Sequence, residues 1–385
     1  INDGDLFTLT TKEVLGNNTI GSISYKNLIN DVQIGTSILV NDGLIELKAE
    51  KIDDTDIVCR VINGGIISDR KAINVPGVHL SLPFLSDVDR RDLEFAMKTG
   101  FDFFALSFVR CAEDVLEVRR LQKEHNNTSK LIAKIESQEG VENLDAIIDV
   151  ADGIMVARGD MGVEIPFEKV PVVQKDMISK CLKSGKFVIV ATQMLESMTH
   201  NPRPTRAEVN DVANAIFDQT SAVMLSGESA AGDYPVEAVK TMSRICHEIE
   251  KTTTTGKFEI TYNGSNLASS IACAACSIAS VINADAIIPV SLSGSTIRKV
   301  SGFRPNIAII GCSTNECVCR ETSLMWGVTP VLITEQADGE ALINEVISKC
   351  KTAGVIKSGN RVVIVAGFPL RIAGATNMIR VVDVE

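Results

Sequence analysis

The apolar positions change their period twice along the chain. Residues 1–75 carry short alternations of apolar and polar residues cut by turn formers, with few long helical patterns. Asn41-Asp42-Gly43 between the runs 36–40 and 44–49 predicts a two-strand hairpin, since Asp-Gly supplies the positive φ of a tight turn. A further strand is expected at 57–63, ending at Gly64-Gly65. From Pro76 to about residue 252 the texture becomes apolar strand, polar loop, amphipathic helix, repeated. Buried-strand patterns fall at 103–108, 131–135, 153–157, 187–192 and 222–225, each followed by a helix-period segment such as 112–124. After a Thr-rich link at 252–256, a small-residue helix is expected at 267–282. Strands at 286–289, 307–311, 330–333 and 361–367 follow, interleaved with helices, which predicts a compact α/β domain.

Alternating strands and helices in the middle block predict parallel βα units. Periodicity alone leaves two architectures open, a (β/α)8 barrel and a doubly wound sheet. Residues suited to phosphate and metal stand at the C-terminal ends of these strands, where a barrel places its chemistry. With five such strands the barrel is three units short of closure, about 90 residues at the usual size of a repeat. The expectation is therefore that a segment upstream of Ile1 supplies them, and that a protein starting at Ile1 is inactive and badly folded.

The chain has 385 residues, 45% of them hydrophobic, enough for two or three domains with substantial cores. No run of eighteen apolar residues occurs and the first residues lack a signal-peptide pattern, so a cytoplasmic protein is expected. Its ten cysteines are then read as reduced and mostly buried. A net charge of −11 argues against nucleic acid or an anionic membrane as partner. Small anionic substrates must be held by local devices such as metals and helix N-termini.

Lys134 and Glu136, at a strand end, share a face by period-two alternation. Glu136 and Asp160 give carboxylates on adjacent loops, suited to one hard divalent cation that keeps several waters, or else to a surface ion-pair cluster. Asp160 follows Ala157-Arg158-Gly159, a stretch read as a glycine-rich turn in which Gly159 and Gly162 let N–H groups approach an anion. Thr192 offers a hydroxyl at the next strand end, where a threonine also serves as a turn or cap residue. The loops at 290–296 and 368–376 have the Ser, Thr and Gly content of anion-binding loops.

Five motifs in series carry a resemblance. They are Ala-Lys-Ile-Glu-Ser-Gln-Glu-Gly from Ala133, Asp-Gly-Ile-Met-Val-Ala-Arg-Gly-Asp-Met-Gly-Val-Glu-Ile-Pro from Asp152, Ala-Thr-Gln-Met-Leu-Glu-Ser-Met from Ala191, Pro-Arg-Pro-Thr-Arg-Ala-Glu from Pro202, and Met-Leu-Ser-Gly-Glu-Ser-Ala from Met224. In order and spacing they resemble pyruvate kinase, and the similarity extends over the whole chain. The resemblance implies a (β/α)8 TIM barrel, incomplete here, with an inserted β-barrel lid domain and a C-terminal α/β effector-binding domain. The expected boundaries are 1–75 for the lid, 76–252 for the barrel without its first three βα units, and 253–385 for the C-terminal domain.

The implied activity is glycolytic transfer of a phosphoryl group from phosphoenolpyruvate to ADP, giving pyruvate and ATP. By the resemblance Glu136 and Asp160 would hold Mg2+ or Mn2+, and Lys134 would sit over the transferring phosphoryl and the enolate oxygen. Ala157, Arg158, Gly159 and Asp160 would contact substrate, Thr192 would act through water near the methylene carbon, and Glu228 would lie on the nucleotide side. Ser291, Ser293, Gly294, Ser295 and Thr296 resemble a sugar-phosphate effector loop. K+ dependence and a homotetramer are further implications.

Two departures stand out. Ala231 replaces a lysine of the family pattern, and Ser86-Asp87-Val88-Asp89 lacks the lysine of another, so two nucleotide-side cations are absent. A magnesium-dependent lyase, needing neither lid nor nucleotide, and a non-catalytic homologue are the alternative readings.

Overall fold

The computed structural model describes residues 1–252, 266–370, 372 and 375–385. The link beyond Thr252, and residues 371, 373 and 374 of the second Ser/Thr/Gly loop, lie outside the described residues.

The first sheet contains β1 (Leu6–Thr10), β2 (Ile20–Ser22), β3 (Ser37–Val40), β4 (Ile45–Ile52), β5 (Asp56–Asn63) and β6 (Ile73–Asn74), in spatial order β2-β1-β5-β4-β3-β6. The expected hairpin joins β3 to β4, with φ of 57°, 56° and 80° at Asn41, Asp42 and Gly43. Alternation along β4 and β5 buries Ile45, Leu47, Ala49, Ile57, Cys59 and Val61 in one core. Edge strands β2 and β6 are three and two residues long and do not pair with each other, so the sheet stays open.

The second sheet contains β7 (Phe103–Leu106), β8 (Lys130–Ile135), β9 (Gly153–Ala157), β10 (Phe187–Ala191) and β11 (Ala222–Val223). Its strands are parallel and pair in chain order. A doubly wound sheet reverses its order at a switch point, whereas a barrel does not, so this run has the barrel's topology. β9 and β10 are buried along their whole length, which is why they read as unbroken apolar runs. Gly153 is required at the start of β9, because a Cβ there would stand 2.2 Å from the Phe187 ring. That ring meets Phe103 edge-on, with centroids 5.9 Å apart.

Two expectations are corrected here. The segment after β9 is not a glycine-rich turn but a helix, Arg158–Glu164, in which neither Gly159 nor Gly162 has positive φ. The last strand is two residues long rather than four, since Met224 leaves the ladder after one bond to Val190.

The third sheet contains β12 (Ala286–Pro289), β13 (Ala308–Ser313), β14 (Val328–Leu332), β15 (Arg361–Gly367) and β16 (Thr376–Asp383), in order β14-β13-β12-β15-β16. Here the order does reverse, between β12 and β15. Antiparallel β16 was not anticipated. The helix Leu267–Val281 covers one face through Ala272, Ala275, Cys276 and Ala279. The helix Gly339–Thr352 covers the other through Leu342, Ile343, Val346 and Cys350. All ten cysteines are free thiols, seven of them buried.

Polar contacts join the three units. Asn74 Nδ2 donates to Glu164 Oε1 at 3.0 Å, and the Ser81 amide donates to Asp31 Oδ2 at 2.9 Å. Between the second and third units, Arg320 Nε lies 2.9 Å from Asp102 Oδ2 and Lys130 Nζ lies 3.4 Å from Glu321 Oε2.

Candidate active site

Parallel strands deliver all five C-terminal tips to one side, and the candidate residues stand there. Lys134 and Glu136 point the same way at the end of β8, with Nζ 2.7 Å from Oε1. Lys134 Nζ also donates to Ser107 Oγ at 2.8 Å, and Glu136 Oε2 accepts the Phe108 amide at 2.6 Å. Phe108 adopts φ 54°, a costly conformation for a bulky side chain, and that twist turns its N–H toward the carboxylate. The side chain of Glu136 is 1% exposed and that of Lys134 24%. An ammonium is thus fixed at the rim by a buried carboxylate and a hydroxyl, with part of its surface open.

On the next strand tip Asp160 is half-buried and, among the described residues, its carboxylate takes part in no hydrogen bond or ion pair. Four residues on, burial raises the Glu164 carboxyl above its ordinary value. Asn74 works against that rise and the Asp160 charge adds to it. Two carboxylate side chains on adjacent tips, one of them unpartnered, are hard oxygen donors of the kind Mg2+ takes alongside water. Among the described residues no group of three or more His, Cys, Asp or Glu has metal-binding geometry.

Arg158 is held from four directions. Its Nη1 donates to Asp211 Oδ1 at 2.7 Å, its Nη2 to the Thr192 carbonyl at 2.6 Å and to Met194 Sδ at 2.9 Å, and its Nε to the Ala191 carbonyl at 3.3 Å. The guanidinium braces the β9 and β10 tips against the helix Arg206–Phe217. Thr192 has φ 68°, and its Oγ1 accepts the Gly159 amide at 2.8 Å while donating to the Ala191 carbonyl at 2.6 Å. The Gly159 N–H expected to face an anion is therefore engaged by Thr192. Ala157 is 1% exposed and closes the strand from below.

Glu228 is fully buried. It accepts the amides of Leu195 at 3.0 Å and Ser226 at 2.7 Å, tying the loops after β10 and β11 together beneath the surface. There it braces the two loops, giving both backbone donors a buried acceptor.

A cleft of about 580 Å3, ample for a small phosphorylated ligand, opens between the hairpin tip of the first sheet and the β9 and β10 ends. Asp42, Arg158, Gly159, Asp160, Gln193 and Asp211 line it. Lys134 and Glu136 stand one strand over and are not part of this lining. Sequence reasoning missed Asp42, Gln193 and Asp211 as cleft residues. Asp42 was visible only as a turn former, and Gln193 only as the neighbour of Thr192.

In the third unit a smaller cavity of about 70 Å3 lies at the β12/β15 reversal, the crevice where open α/β sheets bind ligands. Ser291, Thr296, Gly367 and Thr376 are among its lining residues. Gly294, with φ 76°, precedes the helix Ser295–Gly302, Lys299 Nζ donates to Ser295 Oγ at 3.3 Å, and Ser293 is exposed.

Residues 1–239 match the family model described as pyruvate kinase, barrel domain, and residues 269–382 that described as pyruvate kinase, alpha/beta domain. The chain is 46% identical to a pyruvate kinase of Clostridium acetobutylicum, with 99% of this chain and 82% of that protein aligned. It is 45% identical to a pyruvate kinase of Clostridium perfringens over the same shares of the two chains. A crystal structure of a pyruvate kinase from Cryptosporidium parvum superposes with a TM-score of 0.90 at 39% identity, covering 100% of this chain and 79% of that one.

Proposed function

Since this chain belongs to the pyruvate kinase family, we propose that Lys134, Glu136, Asp160 and Thr192 carry its reaction. That reaction moves a phosphoryl group from phosphoenolpyruvate to ADP, giving pyruvate and ATP. The lyase alternative falls away with the family assignment.

The observation that carries the residue assignment is the grip on Lys134, 2.7 Å from Glu136 and 2.8 Å from Ser107, one strand over from a cleft of about 580 Å3. Phosphoryl transfer asks for positioning and charge neutralisation more than for covalent help. An ammonium already oriented at the rim stabilises negative charge on the departing enolate oxygen without reorganising during the step. Glu136 and Asp160 are the residues to hold a divalent cation, which when bound neutralises phosphate oxygens. Thr192 orients the water that protonates the methylene carbon, its own hydroxyl being far too weak an acid to do so directly. Arg158, Gly159 and Ala157 shape the wall, and Glu228 fixes the loops behind it.

Residues 1–75 act as a lid whose hairpin tip, at Asp42, faces the barrel domain 76–252, and 253–385 forms the effector-binding domain. A sugar phosphate is the ligand class proposed for the 291–296 loop, supported by the reversal of strand order beside it. Potassium dependence, a homotetramer and a cytoplasmic location complete the reading. Among the described residues no helix is long and apolar enough to cross a membrane.

Direct titration of Mn2+ by calorimetry tests the cation assignment. Glu136→Gln and Asp160→Asn should each weaken binding at least tenfold, while unchanged binding in both would remove these residues from the cation site.

A further inference from the structure

A second cleft separates the β10 side of the barrel unit from the third sheet unit, and an unneutralised cation forms its floor. Arg304 is 7% exposed, yet among the described residues no carboxylate pairs with it. Its Nη1 donates to the Ser301 carbonyl at 2.7 Å, and its Nη2 to Ser221 Oγ at 3.1 Å and to the Gln219 carbonyl at 3.4 Å. Nε is buried without an acceptor. The guanidinium carbon stands 5.4 Å from the centroid of the Trp326 ring, and burial lowers the arginine pKa to about 10. A charge this deep, answered only by neutral acceptors and an aromatic face, is costly unless a counter-ion joins it.

Two more cations line the same cleft. Lys186 is half-buried, donates to the Ala151 carbonyl at 2.7 Å and keeps its other N–H groups available. Burial lowers its pKa. Arg298 and Arg119 push the same way, and Asp152 and Asp149 oppose them. Asp152 answers Lys186 only in part, since its Oδ2 also binds Arg119 at 2.5 Å and the Leu131 amide at 2.8 Å. Arg298 is exposed and forms no ion pair among the described residues. Three cations thus converge in a chain whose net charge is −11.

The geometry points to an anion site between the two units that takes a phosphate group, held by Lys186 and Arg298 at the rim over Arg304. A phosphate has enough acceptor oxygens to engage an ammonium and a guanidinium fork together, which one carboxylate does less well. The enclosed part of the cleft, about 20 Å3, has room for little more than one water-sized group, so the phosphate sits in the open mouth, with any organic remainder in solvent. Arg298 lies midway along the helix Ser295–Gly302, which begins at the 291–296 loop, so an anion here grips the same helix that opens the other candidate site.

Trp326 is the single tryptophan of the chain and touches Arg304, so its emission reports on this cleft. Inorganic phosphate titrated at constant ionic strength should change that emission saturably. Arg298→Gln and Lys186→Gln should each raise the apparent dissociation constant at least tenfold, with far-ultraviolet circular dichroism unchanged. Ser293→Asp, at the other loop, should leave the titration as it is. Glycerol phosphate run in parallel identifies the source: tighter binding than inorganic phosphate assigns the site to a phosphate ester, and equal or weaker binding assigns it to free phosphate. A response that does not saturate, or one with the same dissociation constant in folded Arg298→Gln, overturns the proposal.

Discussion

Thr192 and Gly159 lock two strand tips together: Thr192 Oγ1 accepts the Gly159 amide at 2.8 Å, and the threonine holds φ 68° to reach it. A β-branched residue in the left-handed region costs roughly 1–3 kcal/mol, so the surrounding contacts must over-determine it. The Arg158 bond to the Thr192 carbonyl is one such contact.

Thr192→Val keeps the shape and removes the hydroxyl. Steady-state kinetics should show kcat for pyruvate formation falling roughly 10- to 100-fold, with the KM for phosphoenolpyruvate changing much less. A KM rise with kcat intact would mean that the hydroxyl serves binding alone.

Glu228→Gln leaves the buried Leu195 and Ser226 amides with one acceptor oxygen between them. An unmet buried donor costs about 1–3 kcal/mol. Calorimetric melting should report that loss, and an unchanged melting temperature would contradict the bracing position.

Tyr25 and Asp31 tie the first unit to its linker. The Tyr25 hydroxyl donates to Asp31 Oδ2 at 2.5 Å, and the Ser81 amide and hydroxyl donate to the same carboxylate. Burial pushes the Asp31 pKa up, but the hydrogen bonds from Tyr25 and Ser81 outweigh it and leave the carboxyl below its ordinary value. For a depressed carboxyl, the stabilisation is present above the unfolded pKa and is lost as pH falls through the folded one. Asp31→Asn should therefore lower the melting temperature at pH 7, and the gap to the parent protein should narrow below about pH 4. A gap independent of pH would show that the charge is not what counts.

Ser293→Asp and Ser295→Asp put a negative charge where the effector phosphate is proposed to bind. Activation by a sugar bisphosphate, read as the shift in half-saturating phosphoenolpyruvate, should disappear in both while activity without effector persists. Retained activation would move the effector elsewhere.

How much of this was legible in the sequence depended on burial. Strands such as β9, covered on both faces, left continuous apolar runs, and β15 spans the 361–367 expected of it. β16 escaped because its burial alternates weakly and it follows a Ser/Thr/Gly loop. The helix Arg158–Glu164 was hidden by its own glycines, which suggest a turn, while the bonds from Arg158 to β10 and Asp211 that pin its first turn are tertiary. Period two put Lys134 and Glu136 on one face, and their side chains meet there at 2.7 Å. Nothing local could reveal that Glu228 is buried, that Asp42 reaches a cleft, or that Arg304 has no carboxylate partner among the described residues, since each depends on segments distant in sequence.

The most direct test of the account is pyruvate formation by Lys134→Met, measured with phosphoenolpyruvate, ADP, magnesium and potassium in the complete enzyme. Losing the oriented ammonium should lower kcat at least about 100-fold while phosphoenolpyruvate still binds. A variant with kcat near that of the parent would contradict the assignment of Lys134 to the transferring phosphoryl and the enolate.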